Sequence, residues 1–323
     1  MHLVVVIPNW NGKEHLGDAL DSLRSQTLKP TVLVVDNGSV DGSQDFIKKT
    51  YPEVKLIERD KNYGFTGGVN PGIEEAIKTD ADYVALLNND AVADKDWLKH
   101  LVAKAENDSK IGIVACKTIR TDKKHLDSTG ECFSIWGVPF PRGRNQVDSN
   151  QYDKAEEVFG GSGGASLYRV SLLKEIGLFD QRFFAYFEDV DISFRARLAG
   201  WKIWYEPEAF VYHHVSATAS KLGNFARYHS VKNFFLVYIK NMPGWLYWKY
   251  LPLFSIQSLR WLASSTLKGH LWTFIKAYLA FLAYLPSTLK DRWKIQKNRK
   301  VSIKEIDELL YHQRPPKIPA LLS

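Results

Sequence analysis

Three carboxylates stand within four positions at Glu188, Asp189 and Asp191, and four of the five preceding residues are aromatic. Like charges held against apolar side chains raise the pKa of a carboxyl group, and a carboxylate with a raised pKa is suited to take a proton from an alcohol. A solvated acidic turn is the alternative interpretation. The aromatic neighbours, together with Arg195 and Arg197 nearby, favour a catalytic role.

A possible cation site is the run Asn88-Asn89-Asp90, which follows the apolar pair Leu86-Leu87. Mg²⁺ and Mn²⁺ prefer oxygen ligands, and proteins commonly hold them with one or two carboxylates plus substrate phosphates. One aspartate alone makes a weak site. A diphosphate, and the imidazole of His213, would have to complete it, although a single histidine at the end of a strand is more often structural.

Two further segments could contact a nucleotide. Residues 62–72 are rich in glycine and precede a helix predicted over 70–78, so backbone N–H groups could approach a phosphate there. They match neither the P-loop nor the dinucleotide fingerprint, and a generic glycine-rich turn fits them equally well. Asp36 follows an apolar run, where it could accept a hydrogen bond from a ribose or a base, or simply cap a turn.

The elements that must position these groups are short apolar runs alternating with helical patterns. Strands are predicted over 3–7, 31–35, 54–59 and 83–87, with helices over 14–25, 41–50 and 70–78. This alternation predicts an α/β fold with a parallel sheet and crossover helices. Asn9, Asp36, Asn62 and Asp90 would all fall at the carboxyl ends of strands, so we expect them to converge on one crevice.

Beyond residue 90 the pattern loosens. A helix over 97–106 and a strand over 111–116 precede a polar stretch, 122–153, which we interpret as an excursion over the sheet. A strand over 165–168 and a helix over 171–176 follow. Past Gly223 the chain becomes helical and aromatic, with an amphipathic stripe over 271–285. We therefore predict two domains, residues 1–223 and 224–323.

The charge of the 323-residue chain is divided unequally between these two parts. Residues 1–223 have a net charge of −5, whereas residues 224–323 have a net charge of +12 and hold five of the ten tryptophans. Such a region suggests a polyanionic partner, either anionic lipid or nucleic acid. Its longest stretch without charge, 277–289, is shorter than the roughly 20 residues needed to cross a bilayer. The two cysteines make no disulfide framework or zinc site, which indicates a reducing compartment.

Taken in order over about 220 residues, these segments resemble the family 2 glycosyltransferases of the GT-A fold, most of all the bacterial rhamnosyltransferase-like branch. The resemblance rests on residues 5–12, 35–42, 62–72, 87–90, 177–180, 184–191 and 211–213. It implies an α/β, Rossmann-like nucleotide-sugar-binding domain with a mostly parallel central sheet, followed by a helical amphipathic region.

The same resemblance implies roles for the residues that match the motifs. The residues expected to bind the nucleotide-sugar donor are Pro8, Asn9, Trp10, Asp36, Asn62, Gly67, Gly68, Asn70 and Asn88, with Asp36 on the base. Asp90 and His213 are expected to hold a divalent cation, Mn²⁺ or Mg²⁺. The chain departs from the family's Asp-x-Asp motif because Asn88 occupies its first position, which weakens the case for tight metal binding.

On the catalytic side, the resemblance places Asp189 at the general-base position with Glu188 as its acidic neighbour. Asp191, Gly163 and Gly164 are expected on the acceptor side. The implied reaction is an inverting displacement, in which an acceptor hydroxyl deprotonated by Asp189 attacks the anomeric carbon as the diphosphate leaves. A single in-line step needs no enzyme nucleophile.

The implied function is transfer from dTDP-rhamnose or a UDP-sugar to a glycan or polyprenyl-diphosphate-linked saccharide in cell-surface polysaccharide synthesis. We expect a cytoplasmic protein attached peripherally to the anionic inner face of the membrane through residues 224–323, with no nucleic-acid partner. Two alternatives remain. The first is a sugar nucleotidyltransferase, which would need a basic glycine-rich loop near the N-terminus, where residues 9–13 contain a single lysine, Lys13. The second is a non-enzymatic binder of membranes or nucleic acid, which would leave the carboxylates without a role.

Overall fold

The centre of the computed structural model, which describes residues 1–214 and 223–316, is a ten-stranded sheet with a separate two-stranded ribbon. The strands are β1 (Leu3–Asn9), β2 (Thr31–Asp36), β3 (Lys55–Glu58), β4 (Tyr83–Leu87), β5 (Ala91–Ala93), β6 (Ile111–Arg120), β7 (Leu126–Ser128), β8 (Glu131–Phe133), β9 (Pro139–Pro141), β10 (Glu156–Glu157), β11 (Ala165–Arg169) and β12 (Lys202–His213). The path through the large sheet is β10-β12-β6-β11-β4-β1-β2-β3.

The first half of this path, β3-β2-β1-β4, is parallel as predicted. Asn9 at the end of β1 pairs in register with Asp36 at the end of β2, so polar side chains meet at one edge. In the second half, β6 and β12 are also parallel, but β11 runs antiparallel between β4 and β6. The prediction of an α/β, mostly parallel sheet is therefore confirmed, with β11 reversed within the path and the short strands β5, β7 and β10 also antiparallel to their neighbours.

The helices among the described residues are α1 (Lys13–Arg24), α2 (Ser43–Thr50), α3 (Gly64–Lys78), α4 (Trp97–Glu106), α5 (Val170–Ile176), α6 (Glu188–Leu198), α7 (Gly223–Asn241), α8 (Gly244–Leu267), α9 (Leu271–Lys297) and α10 (Ile303–Leu309). They cover both faces of the sheet because its strands are apolar on both sides. Along β1, Val5 packs in the core with α1 and α4, whereas Val4 and Val6 pack in the core with α3 and α6.

Helix α3 begins at Gly64, six residues before the helix predicted from the sequence. Low helix propensity made residues 64–69 resemble a loop, yet close packing against the sheet explains these glycines. A Cβ atom at Gly72 would lie 2.5 Å from Val6 Cγ1, and one at Gly68 would lie 3.0 Å from Pro8 Cβ. The glycine-rich segment is thus a helix that approaches β1 closely, and not a flexible loop.

The C-terminal helices share a hydrophobic core with the preceding part of the chain. That core joins Phe133 of β8 and Phe194 of α6 to Phe235 of α7 and Phe281 of α9, and the rings of the last two lie 5.1 Å apart. Helix α7 starts at the boundary predicted after residue 223, but it is buried over most of its circumference. The two predicted domains are therefore continuous in packing.

The amphipathic stripe predicted over 271–285 divides between the interior and the surface. Phe274 and Phe281 are buried against α7, while Leu271 and Leu282 keep more than a third of their surface exposed. Within the described ranges, no helix is both long and apolar enough to cross a membrane. A set of exposed tryptophans, which we call the outer aromatic face, remains on α8 and α9: Trp245, Trp248, Trp272 and Trp293.

Candidate active site

The polar ends of the parallel strands form one hydrogen-bonded network, as the sequence predicts. Asn9 Nδ2 donates to Asp36 Oδ2 at 2.8 Å, and Asn89 Nδ2 donates to Asn9 Oδ1 at 2.8 Å. Asn37 Nδ2 extends the network to Asn62 Oδ1 at 3.1 Å. Amides at the ends of β1, β2 and β4 are thereby fixed around a single crevice.

Asp36 lies beneath this crevice and has no exposed surface. Its Oδ1 accepts hydrogen bonds from Gln44 Nε2 at 2.7 Å and from the Ser39 amide at 3.0 Å, while Oδ2 is held by Asn9. Three protein donors thus hold this carboxylate in the pocket wall. Its expected contact with a base stays a prediction.

Asn70 joins α3 to the segment around Phe179. Its side chain is buried, donates to the Phe179 carbonyl at 2.8 Å and accepts from the Phe179 amide at 3.1 Å. Asn70 thereby fixes this segment against α3, and its expected contact with the nucleotide sugar stays a prediction.

Other predicted donor residues line or border the crevice. Trp10 is 45% exposed beside it, and Pro8 packs on Gly68. Gly67 packs against Tyr63. Asn88 is half-buried, and its backbone amide donates to the Gly164 carbonyl at 2.8 Å, which brings β4 to the predicted acceptor side.

Next to the crevice lies a cavity of about 340 Å³. It opens between the end of the sheet, the excursion over 122–153 and the segment before α6. The predicted site residues in its wall are Asn88, Gly164, Glu188, Asp189 and His213, and three that the sequence analysis did not single out, Asp127, Glu131 and Arg144, also line it. A larger cavity of about 860 Å³ between α6 and α9 contains paired charges and none of the predicted residues.

Asp189 enters the cavity from the first turn of α6. Its Oδ2 accepts a hydrogen bond from the Gly163 amide at 3.0 Å, and its Oδ1 accepts one from the Val190 amide at 2.8 Å. Burial raises the pKa of Asp189, and these two hydrogen bonds offset that rise only in part. Burial, and then the charge of Asp189, hold the pKa of Glu188 well above its usual range. The site thus has the raised carboxyl pKa values that the sequence predicts.

Asp191, two residues further on, has no exposed surface. It accepts hydrogen bonds from Arg195 Nε at 2.9 Å, Lys240 Nζ at 2.9 Å and Asn241 Nδ2 at 2.8 Å. Although burial disfavours its charge, Lys240 and Arg195 outweigh burial and lower the pKa of Asp191. The predicted acceptor-side contact is therefore wrong, because this carboxylate faces α7 and joins α6 to the C-terminal helices.

Asp90 and His213 face each other across the crevice, with Asp90 Oδ1 and His213 Nε2 3.1 Å apart. The other ring nitrogen, Nδ1, lies 3.0 Å from Asp127 Oδ2, and Arg144 pairs with the same carboxylate at 3.0 Å. Burial disfavours the imidazolium, but the hydrogen bonds to Asp127 and Asp90 prevail and raise the pKa of His213 to about 9.

A carboxylate that holds the far nitrogen of a histidine is the usual arrangement behind a metal-bound imidazole. Asp90 and His213 would fit a divalent cation as two ligands if the cation replaced the proton on Nε2, with Asp127 orienting the ring. Residues 1–214 and 223–316 contain no cluster of three or more His, Cys, Asp or Glu side chains that could hold a metal ion alone. Further ligands would have to come from a diphosphate, as the sequence analysis expects.

The positions of Asp127 and Glu131 in the cavity wall were not predicted from the sequence, because both residues lie in the excursion over 122–153. Short strands β7 and β8 place them in the cavity wall. Burial and the nearby charge of Asp189 raise the pKa of Glu131 well above its usual value. Residues 126–133 show no alternation of apolar and polar side chains, since Asp127, Ser128 and Thr129 are consecutive polar residues, so no local pattern predicts a strand there.

Residues 4–177 match the family model described as "Glycosyl transferase family 2". A relative in Mycobacterium tuberculosis, N-acetylglucosaminyl-diphospho-decaprenol L-rhamnosyltransferase, is 27% identical over 92% of this chain and 98% of its own length. Poly-beta-1,6-N-acetyl-D-glucosamine synthase of Staphylococcus aureus is 23% identical over 66% of this chain and 50% of its own length.

Solved glycosyltransferase structures are similar in fold. TarS residues 1-349 of S. aureus, in complex with UDP-GlcNAc, superposes with a TM-score of 0.59 at 15% identity, over 97% of this chain and 93% of the other. The mannosyltransferase PcManGT of Pyrobaculum calidifontis, in complex with GDP-Man and Mn²⁺, gives a TM-score of 0.55 at 17% identity, over 95% and 78%. This chain spans 40% of a longer TarS structure. These similarities show the GT-A fold.

Proposed function

Because the chain belongs to glycosyl transferase family 2, we propose that it transfers a sugar from a nucleotide diphosphate to a hydroxyl of a lipid-linked saccharide by a single inverting displacement. The observation that carries the proposal is Asp189, which enters a cavity that adjoins the amide-lined crevice. The family assignment decides against the nucleotidyltransferase and the non-enzymatic binder that the sequence left open.

In this proposal the crevice at the ends of β1, β2 and β4 is the donor side, and the cavity around Asp189 is the acceptor side. An acceptor hydroxyl in the cavity gives its proton to Asp189, and its oxygen forms a bond to the anomeric carbon. The bond from that carbon to the diphosphate breaks at the same time, and the nucleoside diphosphate leaves with the electron pair. The raised pKa of Glu188 favours its neutral form, which limits negative charge beside the base.

Asp90 and His213 are the residues that would hold Mn²⁺ or Mg²⁺ between the two sides. When bound, such a cation would neutralise charge that develops on the leaving diphosphate. Asp127 keeps the Nε2 atom of His213 directed at this position through its hydrogen bond to Nδ1. Arg144, which pairs with Asp127, completes the support on the cavity side.

The relatives and the charge distribution support the donor and acceptor classes of this proposal. A rhamnosyltransferase acting on a decaprenyl-diphosphate saccharide matches nearly the full chain, which supports dTDP-rhamnose as donor, with UDP-sugars next, and a polyprenyl-diphosphate saccharide as acceptor. Such an acceptor is embedded in a membrane, so the enzyme must reach the leaflet surface. The polymer that it helps to build would belong to the cell envelope.

We assign the membrane contact to the outer aromatic face. Trp272 and Trp293 are 63% and 62% exposed, and Lys276 and Lys297 lie over their rings at 5.6 and 4.9 Å. Amphipathic rings beside lysines suit the boundary between anionic headgroups and acyl chains. The nearby Arg292 contributes no surface charge to this contact, because it donates to backbone carbonyls inside the helical bundle.

A donor panel tests the proposal directly. Binding of dTDP, UDP, GDP and ADP is measured by thermal shift with and without Mn²⁺, and transfer is measured to N-acetylglucosaminyl-diphospho-polyprenol in vesicles. A ligand present at 100 times its Kd stabilises the native state by about 2.7 kcal/mol, so one nucleotide should stand out. Asp90→Asn should lose the part of the shift that depends on Mn²⁺. Absence of transfer from every nucleotide sugar would contradict the proposal.

A further inference from the structure

The segment 183–187, immediately before the base Asp189, has an unusual backbone. Phe184, Tyr186 and Phe187 have φ angles of 65°, 71° and 69°. Bulky side chains rarely adopt this left-handed region, because the Cβ atom then approaches the backbone. Three such residues in a four-residue span are unfavourable by themselves, so contacts outside the segment must hold them.

One side chain of the C-terminal region makes most of these contacts. Asn233 on α7 directs its amide nitrogen at three carbonyl oxygens of the segment, those of Phe183 at 3.0 Å, Ala185 at 2.8 Å and Tyr186 at 2.6 Å. Because all three neighbours are acceptors, the side chain must present its NH₂ group here. Asn233 is fully buried, and its Oδ1 accepts no hydrogen bond within the described part of the chain.

The neighbouring Lys232 extends the same contact along the chain. Its Nζ donates to the Arg182 carbonyl at 2.5 Å and lies 3.5 Å from the Phe183 oxygen. Lys232 is buried to 4% exposure, so its ammonium group is committed to these carbonyls and to nearby rings. Consecutive residues of α7 thus bind carbonyls on both sides of the first strained residue, Phe184.

The remaining carbonyls of the segment are bound from other elements. The Thr66 amide of α3 donates to the Phe184 oxygen at 3.2 Å, and the Asp191 amide of α6 donates to the Phe187 oxygen at 3.0 Å. The two N–H bonds of Asn233 and the ammonium group of Lys232 are shared among the carbonyls of 182, 183, 185 and 186, so each carbonyl from 182 to 187 faces a donor and these four depend on α7. Loss of the α7 donors would leave buried carbonyls without partners in a backbone that is already strained.

We propose that Asn233, assisted by Lys232, is a positioning residue that holds segment 183–187 in its left-handed conformation and thereby places Asp189 in the cavity. The inference rests on the proposed role of Asp189 as the base. It gives the C-terminal helices a part in the chemical step that is independent of membrane contact.

The test compares two substitutions on α7 in the full-length protein. Asn233→Leu removes the donors with little change in volume, and Val237→Ala, one turn further along, removes buried apolar volume from the same helix while leaving both polar donors in place. Amide hydrogen exchange of peptides covering 180–190 should accelerate in Asn233→Leu and stay near wild type in Val237→Ala. This measurement needs no substrate.

Kinetics provide the second readout. We expect kcat of Asn233→Leu to fall about 100-fold, the size of effect that misplacement by about 1 Å produces, while KM for the donor changes by less than about twofold. A relaxed segment exposes Asp189 to water and lowers its pKa, so the acid limb of the kcat profile should move to lower pH. Val237→Ala should keep the wild-type kcat and profile.

Lys232→Met serves as the milder variant if Asn233→Leu does not fold, and it should lower kcat about tenfold because one donor is lost. The inference is overturned if exchange at 180–190 is unchanged in a folded variant, or if Val237→Ala loses as much kcat as Asn233→Leu. A wild-type protein that transfers no sugar would count against the proposed function, whereas the exchange comparison would still decide the role of Asn233.

Discussion

Neutral amides line the proposed donor side of the crevice, whereas charged groups line the proposed acceptor side. Asn9, Asn37 and Asn89 form the donor network, and the one carboxylate in it, Asp36, is enclosed beneath them. On the acceptor side, Asp189 and His213 both have raised pKa values. The proposed donor side is therefore built mainly from neutral amides at the ends of the parallel strands, while the proposed acceptor side depends on charge balance and on distant segments.

Replacing Asp189, the proposed base, should have the largest effect of the changes considered: transfer should be lost while binding of the donor nucleotide is kept. Asp189→Asn keeps the shape of the side chain but cannot take a proton, so we expect transfer to fall about 10³-fold to 10⁴-fold. Thermal stability should stay the same or rise, because a carboxylate with a raised pKa is less favourable in the folded state than in the unfolded state. Rates and thermal shifts with the donor nucleotide measure both effects. A folded variant with wild-type turnover would remove Asp189 from the base role.

Asp191→Asn should show the opposite behaviour, two residues away. Its carboxylate is the buried partner of Lys240 and Arg195, and removing one member of such a group destabilises a protein by about 3–5 kcal/mol. We expect a lower melting temperature, with residual activity in the fraction that remains folded. Urea denaturation of wild type, Asp189→Asn and Asp191→Asn measures the contrast. Equal stability of the two variants would contradict it.

Loss of the hydrogen bond from Asp127 should weaken metal binding by His213, the proposed metal ligand. Asp127→Ala removes the hydrogen bond that fixes the ring of His213, and such changes typically weaken metal affinity by about 10-fold to 100-fold. Nucleotide binding measured without metal should be unaffected, because the amide network of the donor side does not include Asp127. Titration of Mn²⁺ against transfer rate measures the change. Thr129→Ala, in the same excursion, is the control.

Acid should separate activity from folding. The pKa of Asp189 is raised, so transfer should decline by about tenfold per pH unit once the pH falls below that value. The pKa of Asp191 is lower in the folded state than its unfolded-state value of about 3.9. The stabilisation from its charge is therefore fully present above a pH of about 3.9, and it is lost only as the pH falls through the lower, folded-state pKa. Activity should therefore be lost at a pH where circular dichroism still reports a folded protein. Simultaneous loss would contradict this order.

The smallest effect is expected at the membrane. Trp272→Ala combined with Trp293→Ala should weaken binding to anionic vesicles by roughly threefold to tenfold, because two exposed rings no longer enter the interface. Transfer to a short water-soluble acceptor should stay at the wild-type level. Flotation with vesicles of anionic and neutral lipid measures the binding, and Val147→Ala, an exposed residue of the excursion, is the control. Unchanged flotation would move the contact away from these tryptophans.

The sequence predicts the donor side well because that side is local. Strands β1 and β2 are valine-rich runs that end in Asn9 and Asp36, β4 is an apolar run followed directly by Asn88, and the predicted bounds of β4 and α4 agree with the structure. Helix α3 was predicted too short because its glycines serve helix–sheet packing and carry no helix propensity. Strand β11 resembles a parallel strand in sequence, since nothing in 165–169 records its direction.

The roles of the carboxylates on the proposed acceptor side could not be predicted from the sequence, for a different reason. Asp191 resembles a catalytic neighbour of Asp189 until Lys240 and Asn241 are placed beside it, and those residues lie about 50 positions away in the chain. Asp127 and Glu131 enter the cavity on strands of three residues, too short for a hydrophobic period to identify. Long-range pairing, which the sequence does not record, decides what each of these carboxylates does.

The shared core of α7 with α6 and β8 has a consequence for engineering. The C-terminal helices could be exchanged between family members to change membrane binding or acceptor preference. Such an exchange would separate Asn233 from the carbonyls of 183–187. A chimera with its junction at residue 223 should fold poorly or turn over slowly, even if both parents are active. An active chimera must take the 183–187 segment and α7 from the same parent protein, because the contacts between them form only when the two sequences match.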